Sequence, residues 1–250
     1  MNYKVCVVIP IYKNRFDDGE NWAVKKCIDK TPSIAHFFLA QRAVNFSWYA
    51  HTYPHVKIIT AIEWKLSTIE WYNNMLLQKS FYQRFLEWEY MFLFQPDGYM
   101  LGSEEELLRF CDAGYDYWGA PWYTPWKGHK VYRWSFKGVE HIPYMRSRIQ
   151  PRMCLVGNGG VSLRNNSACV RLLRERWFEA KIWYDNEDKF FSYHGLDTEP
   201  LIKIPSAEEA ERFALELQMK EKMEAGHIPF AVHAWKKHYP ELGLKLGGQL

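Results

Sequence analysis

The sequence has few cysteines, and their positions match no metal-binding or disulfide pattern. The five of them are odd in number, lack CxxC spacing and are scattered along the chain at Cys6, Cys27, Cys111, Cys154 and Cys169. This arrangement excludes a disulfide framework and a structural zinc site, and it is typical of a reducing compartment.

Long apolar runs, charge runs, repeats and low-complexity tracts are also missing. No apolar stretch is long enough for a transmembrane helix, and no signal-peptide cleavage pattern follows the first one, so we expect a cytoplasmic protein. Association with the inner face of the membrane stays open. The charges are interleaved and sum to +3, which gives no sign of a nucleic-acid-binding tail. The exception is the basic segment 129–152, which could face phosphates, an anionic membrane surface or only solvent.

Aromatic residues, by contrast, are abundant at 17% of the chain. Most of them are expected in the core, although sugar and base rings also stack on aromatic faces. At 250 residues the chain can bury a substantial core as one large domain or two small ones.

The first hundred residues alternate strand-like and helix-like patterns. This alternation predicts a doubly wound α/β fold with a mainly parallel sheet flanked by helices. The predicted strands cover residues 5–11, 34–40, 56–62 and 90–95, and the predicted helices cover residues 19–30, 43–51 and 68–88.

The second half is less regular. Ser103 and Glu106 form a capping box that begins a helix ending near Gly114. Further strands are predicted at 115–120 and 153–163, and further helices at 166–180 and at 207–224, the last begun by Ser206. The long connection 123–152 between them is rich in tryptophan and basic residues, a length typical of a functional lid or a poorly ordered segment.

An acid follows the fourth predicted strand, at Gln95-Pro-Asp97-Gly98. Ligands of open α/β sheets bind just past the carboxyl ends of the strands, and a carboxylate there can hold a cation beside a phosphorylated substrate. The alternative is an ordinary turn aspartate.

Three later motifs could also carry chemistry. Gly157, Gly159 and Gly160 would let the backbone approach a ligand closely, or would simply form a bulge. Glu187 and Asp188 lead a helical turn, where an acid either caps the helix or acts as a general base. His233 lies in a short strand-like run; it could complete a cation site or be an ordinary core residue.

Taken in order, these motifs resemble a bacterial family of uncharacterised glycosyltransferase-like proteins with the GT-A fold. The resemblance covers nearly the whole chain. It rests on QPD at 95–97, YDYWGAPW at 115–122, VGNGGVSLR at 156–164, ED at 187–188 and PFAVHAW at 229–235, with VIPIY at 8–12 and YN at 72–73 in support.

The resemblance implies a single GT-A-like domain, with a nucleotide-sugar-binding half at 1–100 and an acceptor and catalytic half at 101–250. Asp188 would be the catalytic base with Glu187 beside it, and Asp97 and His233 would bind Mn²⁺ or Mg²⁺. The first acid of the family's metal motif is Gln95 here, so metal dependence is an open expectation. Donor and acceptor contacts are expected from Pro10, Tyr12, Asn73, Gln95, Asp97, Asn158, Gly159 and Gly160.

The expected function is therefore transfer of a sugar from a nucleotide sugar, with a UDP-sugar favoured, to a glycan or lipid-linked hydroxyl. Surface polysaccharide or lipopolysaccharide synthesis is what the resemblance implies, with no nucleic acid as partner. One alternative is a nucleotidyltransferase, which would release pyrophosphate instead of a nucleoside diphosphate. Another is a non-catalytic carbohydrate-binding protein, in which sugar binding would survive the loss of both Asp97 and Asp188.

Overall fold

The computed structural model describes residues 3–61, 68–127, 153–183 and 185–247. The predictions made for Ile62 and the basic segment 129–152 lie outside these residues. The strands are β1 (Tyr3–Ile11), β2 (Ala35–Gln41), β3 (Lys57–Ala61), β4 (Trp88–Phe94), β5 (Tyr99–Met100), β6 (Tyr117–Lys127), β7 (Met153–Asn165), β8 (Ala214–Leu215) and β9 (Ala231–Val232).

Helices alternate with the strands in the first half of the chain, and most of the helices of the second half follow β7. They are α1 (Asp18–Lys30), α2 (Ser47–Thr52), α3 (Ile69–Leu76), α4 (Lys79–Gln83), α5 (Glu104–Asp112), α6 (Asn166–Glu175), α7 (Trp177–Lys181), α8 (Glu187–Gly195), α9 (Ala207–Phe213), α10 (Met219–Glu224), α11 (Trp235–His238) and α12 (Leu242–Lys245).

The main sheet has six strands in the order β3-β2-β1-β4-β7-β6. The first four are parallel, and β7 enters antiparallel between β4 and β6. Successive residues of β1 point to opposite faces, so Val7 and Ile9 belong to one hydrophobic core and Cys6 and Val8 to the other. A strand covered on both faces must be apolar throughout, which explains the continuous apolar run at the start of the chain.

A second, three-stranded sheet has the order β5-β9-β8. The strand β5, just after β4, pairs antiparallel with β9, and Tyr99 lies opposite Val232. Next to this pairing, the Trp235 amide donates to the Asp97 carbonyl at 3.3 Å, and the His233 amide donates to the Leu215 carbonyl at 2.9 Å. This small sheet therefore brings the C-terminal region against the end of β4.

Three helices predicted as continuous are interrupted. The segment 68–88 forms α3 and α4 and then enters β4, and 166–180 divides into α6 and α7. In each case both pieces bury apolar residues, so the helical spacing continues across the break. The segment 207–224 is interrupted because Ala214 and Leu215 pair with β9 as a strand, after which Gln218 adopts a left-handed backbone (φ 54°).

The predicted helix starts at Ser103 and Ser206 are confirmed, and both serines complete capping boxes with the glutamate three residues later. Among the described residues there is no helix long and apolar enough to cross a lipid bilayer.

Candidate functional site

A cavity of about 410 Å³ lies past the carboxyl ends of β1 and β4. Because these strands are parallel neighbours, their ends meet at the same edge of the sheet. The predicted residues Pro10, Tyr12, Gln95 and Asp97 all line it, and Tyr12 leaves half of its surface exposed there. The other lining residues are Thr68, Ile69, Tyr72 and Pro96. Tyr72 and Pro96 belong to motifs that carry the resemblance, but none of the four was predicted to bind a ligand.

His233 is not among the residues that line the cavity, but it contacts two of them, Gln95 and Asp97. Its Nε2 atom lies 3.1 Å from Oε1 of Gln95 and 3.4 Å from Oδ1 of Asp97, although His233 is 138 residues from Gln95 in sequence. Burial lowers the pKa of His233, but hydrogen bonds with Asp97 and Glu216 outweigh it and raise the pKa to about 9. For Asp97, burial raises the pKa, but the hydrogen bond with His233 outweighs it, so the carboxylate stays ionised at neutral pH.

The chemistry of these three side chains fits a divalent cation, which would displace the proton that His233 carries at neutral pH. A carboxylate oxygen, an amide oxygen and an imidazole nitrogen are all suitable ligands, and atoms that share one octahedral ion at about 2.1 Å lie about 3 Å apart. The distances of 3.1 and 3.4 Å around Nε2 are close to that value. With Gln95 in place of an acid, no cluster of three or more His, Cys, Asp or Glu side chains in the described ranges is arranged to hold a metal.

Glu216 supports the other side of the imidazole, and sequence reasoning missed it. Its Oε1 atom lies 3.5 Å from Nδ1 of His233 and 3.9 Å from Nε2 of His238. Its second oxygen accepts a hydrogen bond from the side chain of Asn158. Glu216 lies inside a segment that its spacing predicted to be helical, so its sequence gave no sign of this role.

The glycines of β7 approach the site so closely that side chains would not fit. A Cβ atom on Gly160 would lie 2.0 Å from Nε2 of His233, and one on Gly159 would lie 2.7 Å from Oε1 of Glu187. The Gly160 amide donates to the Asn158 side chain at 3.1 Å, and the Gly159 amide donates to Asp188 Oδ2 at 3.2 Å. The glycine segment therefore joins the histidine to the acid pair.

The two acids at the start of α8 have different environments. Glu187 binds the fully buried Arg164 at 2.8 Å. Asp188 is 7% exposed and accepts hydrogen bonds from the amides of Gly159 and Lys189. Burial, and then the charge of Glu187, raise the pKa of Asp188 to about 7. A carboxylate that titrates near neutral pH is suited to accept a proton from a substrate hydroxyl.

Arg164 is a second residue whose role the sequence did not reveal. Its guanidinium donates to Ser162 and to Tyr82, each at 2.9 Å, and lies 5.0 Å from the ring of Tyr117. These contacts hold the Arg164–Glu187 pair in place and orient the start of α8. The available signal was an arginine directly after the predicted strand 153–163.

Asn73 is buried away from the cavity lining. Its amide donates to the side chain of Asn186 at 3.0 Å, which is the residue immediately before α8. Its predicted contact with donor or acceptor stays a prediction.

Comparisons with known proteins agree with this architecture. A family model described as "Protein of unknown function (DUF5672)" matches residues 55–233. A search of curated proteins finds no match. Among solved structures, mouse xyloside xylosyltransferase 1 in its apo form superposes with a TM-score of 0.50 at 13% identity, covering 93% of this chain and 97% of that one.

The apo structure of the bifunctional glycosyltransferase WbbM superposes with a TM-score of 0.52 at 10% identity, covering 96% of this chain and 47% of that one. At these identities the likeness establishes the fold alone. The predicted GT-A-like α/β fold is confirmed, whereas the bacterial family and the roles of its motifs stay predictions.

Proposed function

This chain belongs to the DUF5672 family, and we propose that it is a glycosyltransferase that moves a sugar from a nucleotide sugar to the hydroxyl of a glycan or lipid-linked acceptor. The observation that carries the proposal is the contact of Gln95, Asp97 and His233 at a cavity on the sheet edge. The carboxyl group of Asp188, whose pKa is raised to about 7, is connected to these three side chains through Gly159 and Gly160.

The nucleotide sugar would occupy the cavity, with its base toward the exposed ring of Tyr12 and its diphosphate toward Asp97. Asp97, His233 and Gln95 would hold a divalent cation, which when bound neutralises the diphosphate. A UDP-sugar is the favoured donor, and the resemblance to bacterial proteins favours a surface polysaccharide or lipopolysaccharide as product.

The acceptor hydroxyl would lie near Asp188. Asp188 takes the proton of that hydroxyl while the hydroxyl oxygen attacks the anomeric carbon of the donor sugar. The bond from that carbon to the β-phosphate oxygen breaks, the nucleoside diphosphate leaves with the bonding electrons, and the anomeric configuration inverts. Arg164 contributes by pairing with Glu187, which fixes the start of the helix that carries Asp188.

The first test is a panel of UDP-glucose, UDP-galactose, UDP-N-acetylglucosamine, GDP-mannose and dTDP-rhamnose with and without Mn²⁺. Ligands that bind only the native state raise its melting temperature. We expect a shift with at least one donor and slow release of its nucleoside diphosphate. Release of pyrophosphate from a nucleoside triphosphate and a sugar phosphate would instead indicate nucleotidyl transfer.

The second test is Asp188→Asn, which keeps the shape and removes the base. Transfer should fall by at least about 100-fold, the usual share of a general base, while donor binding by calorimetry is unchanged. Asp185→Asn is the matched control, because Asp185 lies three residues before Asp188 and forms a partly exposed ion pair with Lys189 at 2.8 Å. Near-normal transfer by Asp188→Asn would reject the assignment of the base.

A further inference from the structure

Tyr72 combines a place in the cavity lining with a buried hydroxyl group. Its ring packs against the second hydrophobic core, and the residue lines the cavity beside Gln95 and Asp97. Its hydroxyl oxygen is buried, and within the described residues it has no hydrogen-bond partner of acceptable geometry. Such an atom costs about 1–3 kcal/mol relative to a paired one, and a phenylalanine would pack here without that cost.

The neighbours of the hydroxyl indicate what it could bind. Oε1 of Gln95 faces His233, so the side-chain amide nitrogen of Gln95 faces its other neighbours. One of these neighbours is the phenol oxygen of Tyr72. Burial, and then the charge of Glu187, raise the pKa of Tyr72, so the phenol keeps its proton at neutral pH. A protonated phenol beside an amide donor has its own hydrogen available for an acceptor oxygen on a ligand.

The position along the cavity narrows the choice of ligand atom. Tyr12 lies at the exposed end of the cavity, where the base would stack. Tyr72 instead lies beside Gln95, and the charges of Glu187 and Asp97 both affect its pKa. Tyr72 therefore lies beside the proposed cation ligand Gln95, where the diphosphate of the donor would be held.

We propose that the Tyr72 hydroxyl donates a hydrogen bond to an oxygen of the sugar–diphosphate part of the bound nucleotide sugar. This role rests on the proposed function. In this role Tyr72 selects donors that carry an oxygen acceptor at that point.

The experiment compares Tyr72→Phe with the natural protein by titration calorimetry against UDP-glucose, UDP and UMP in the presence of Mn²⁺. We expect about tenfold weaker binding of UDP-glucose by the variant, the effect of one hydrogen bond to a charged or strongly polar oxygen. Binding of UMP should not change, because UMP has neither the β-phosphate nor the sugar bonded to it. Equal affinity of both proteins for UDP-glucose, or an equal loss of affinity for UMP, would overturn the role given to Tyr72 and leave the proposed function unaffected.

Two further measurements keep the interpretation clear. Without ligand, Tyr72→Phe should melt at the same temperature as the natural protein or higher, because no internal hydrogen bond is lost; a clear drop would mean a structural role and contradict the proposal. Tyr82→Phe is the contrast, since the Tyr82 hydroxyl accepts from Arg164 at 2.9 Å and its removal should lower the melting temperature. If the natural protein binds neither UDP-glucose nor UDP, the proposed UDP-sugar function fails, and the inference fails with it.

Discussion

Gly160 gives the sharpest prediction, because a side chain added there would collide with the ring of His233. The backbone of Gly160 is outside the left-handed region, so alanine could adopt it, and any effect of Gly160→Ala must come from the added methyl group. That methyl would lie 2.0 Å from Nε2, 2.2 Å from Cε1 and 2.4 Å from Cδ2 of His233. Ordinary contact begins at 3.4 Å, so the ring must retreat by about 1.4 Å or leave the site.

A shift of this size separates Nε2 from Gln95 and Asp97, which it now contacts at 3.1 and 3.4 Å. Misplacing a positioning group by about 1 Å can cost about 100-fold in rate, so we expect kcat/KM to fall by about that factor. Overpacking of this kind also lowers the free energy of unfolding by about 1–3 kcal/mol. Both are measurable, by nucleoside diphosphate release and by urea unfolding.

A double-mutant cycle separates the contact from a general loss of stability. In a His233→Ala background the added methyl meets no ring, so Gly160→Ala should there change kcat/KM by less than about threefold. The reasoning is refuted if Gly160→Ala has normal activity, or if it costs the same whether or not the imidazole is present.

Two other predictions concern the acid pair. Because the pKa of Asp188 is raised to about 7 and the base must be ionised, log kcat/KM should rise with pH up to about 7 and then level off; a profile already level at pH 5 would contradict this. Arg164→Met leaves Glu187 buried without its partner at 2.8 Å and should lower the free energy of unfolding by about 3–5 kcal/mol in urea. Arg174→Met, on an exposed pair at 2.9 Å, should cost less than about 0.5 kcal/mol, and equal losses for both would contradict the role given to Arg164.

The fold was predictable where local signals determine it. The apolar run of β1 and the serine caps of α5 and α9 depend on a few neighbouring residues, and the structure agrees with all three. The breaks after α3 and after α6 were not predictable from spacing, because both halves of each segment face the same core. The two-residue strands β5, β8 and β9 are too short to show any periodicity.

The candidate site divides in the same way. Asp97 could be located at a strand end because the proline and glycine around it act locally. That His233 meets Asp97 depends on the small sheet, and that Glu216 meets His233 depends on the interruption after α9. Contacts of this kind arise only from tertiary structure, so the sequence supplied the residue types and the fold supplied their partners.

The glycine segment is a paired strand and not a free loop. The carbonyl oxygen of Gly160 accepts a hydrogen bond from the backbone amide of Gln95 at 2.9 Å. The residues that follow Gly160 pair with both β4 and β6. A strand in the middle of a sheet deforms little, because moving it would break the hydrogen-bond ladders on both of its sides at once. Diversification toward new substrates would then proceed through residues of the cavity lining, such as Ile69 and Tyr12, while the glycine strand stays constant.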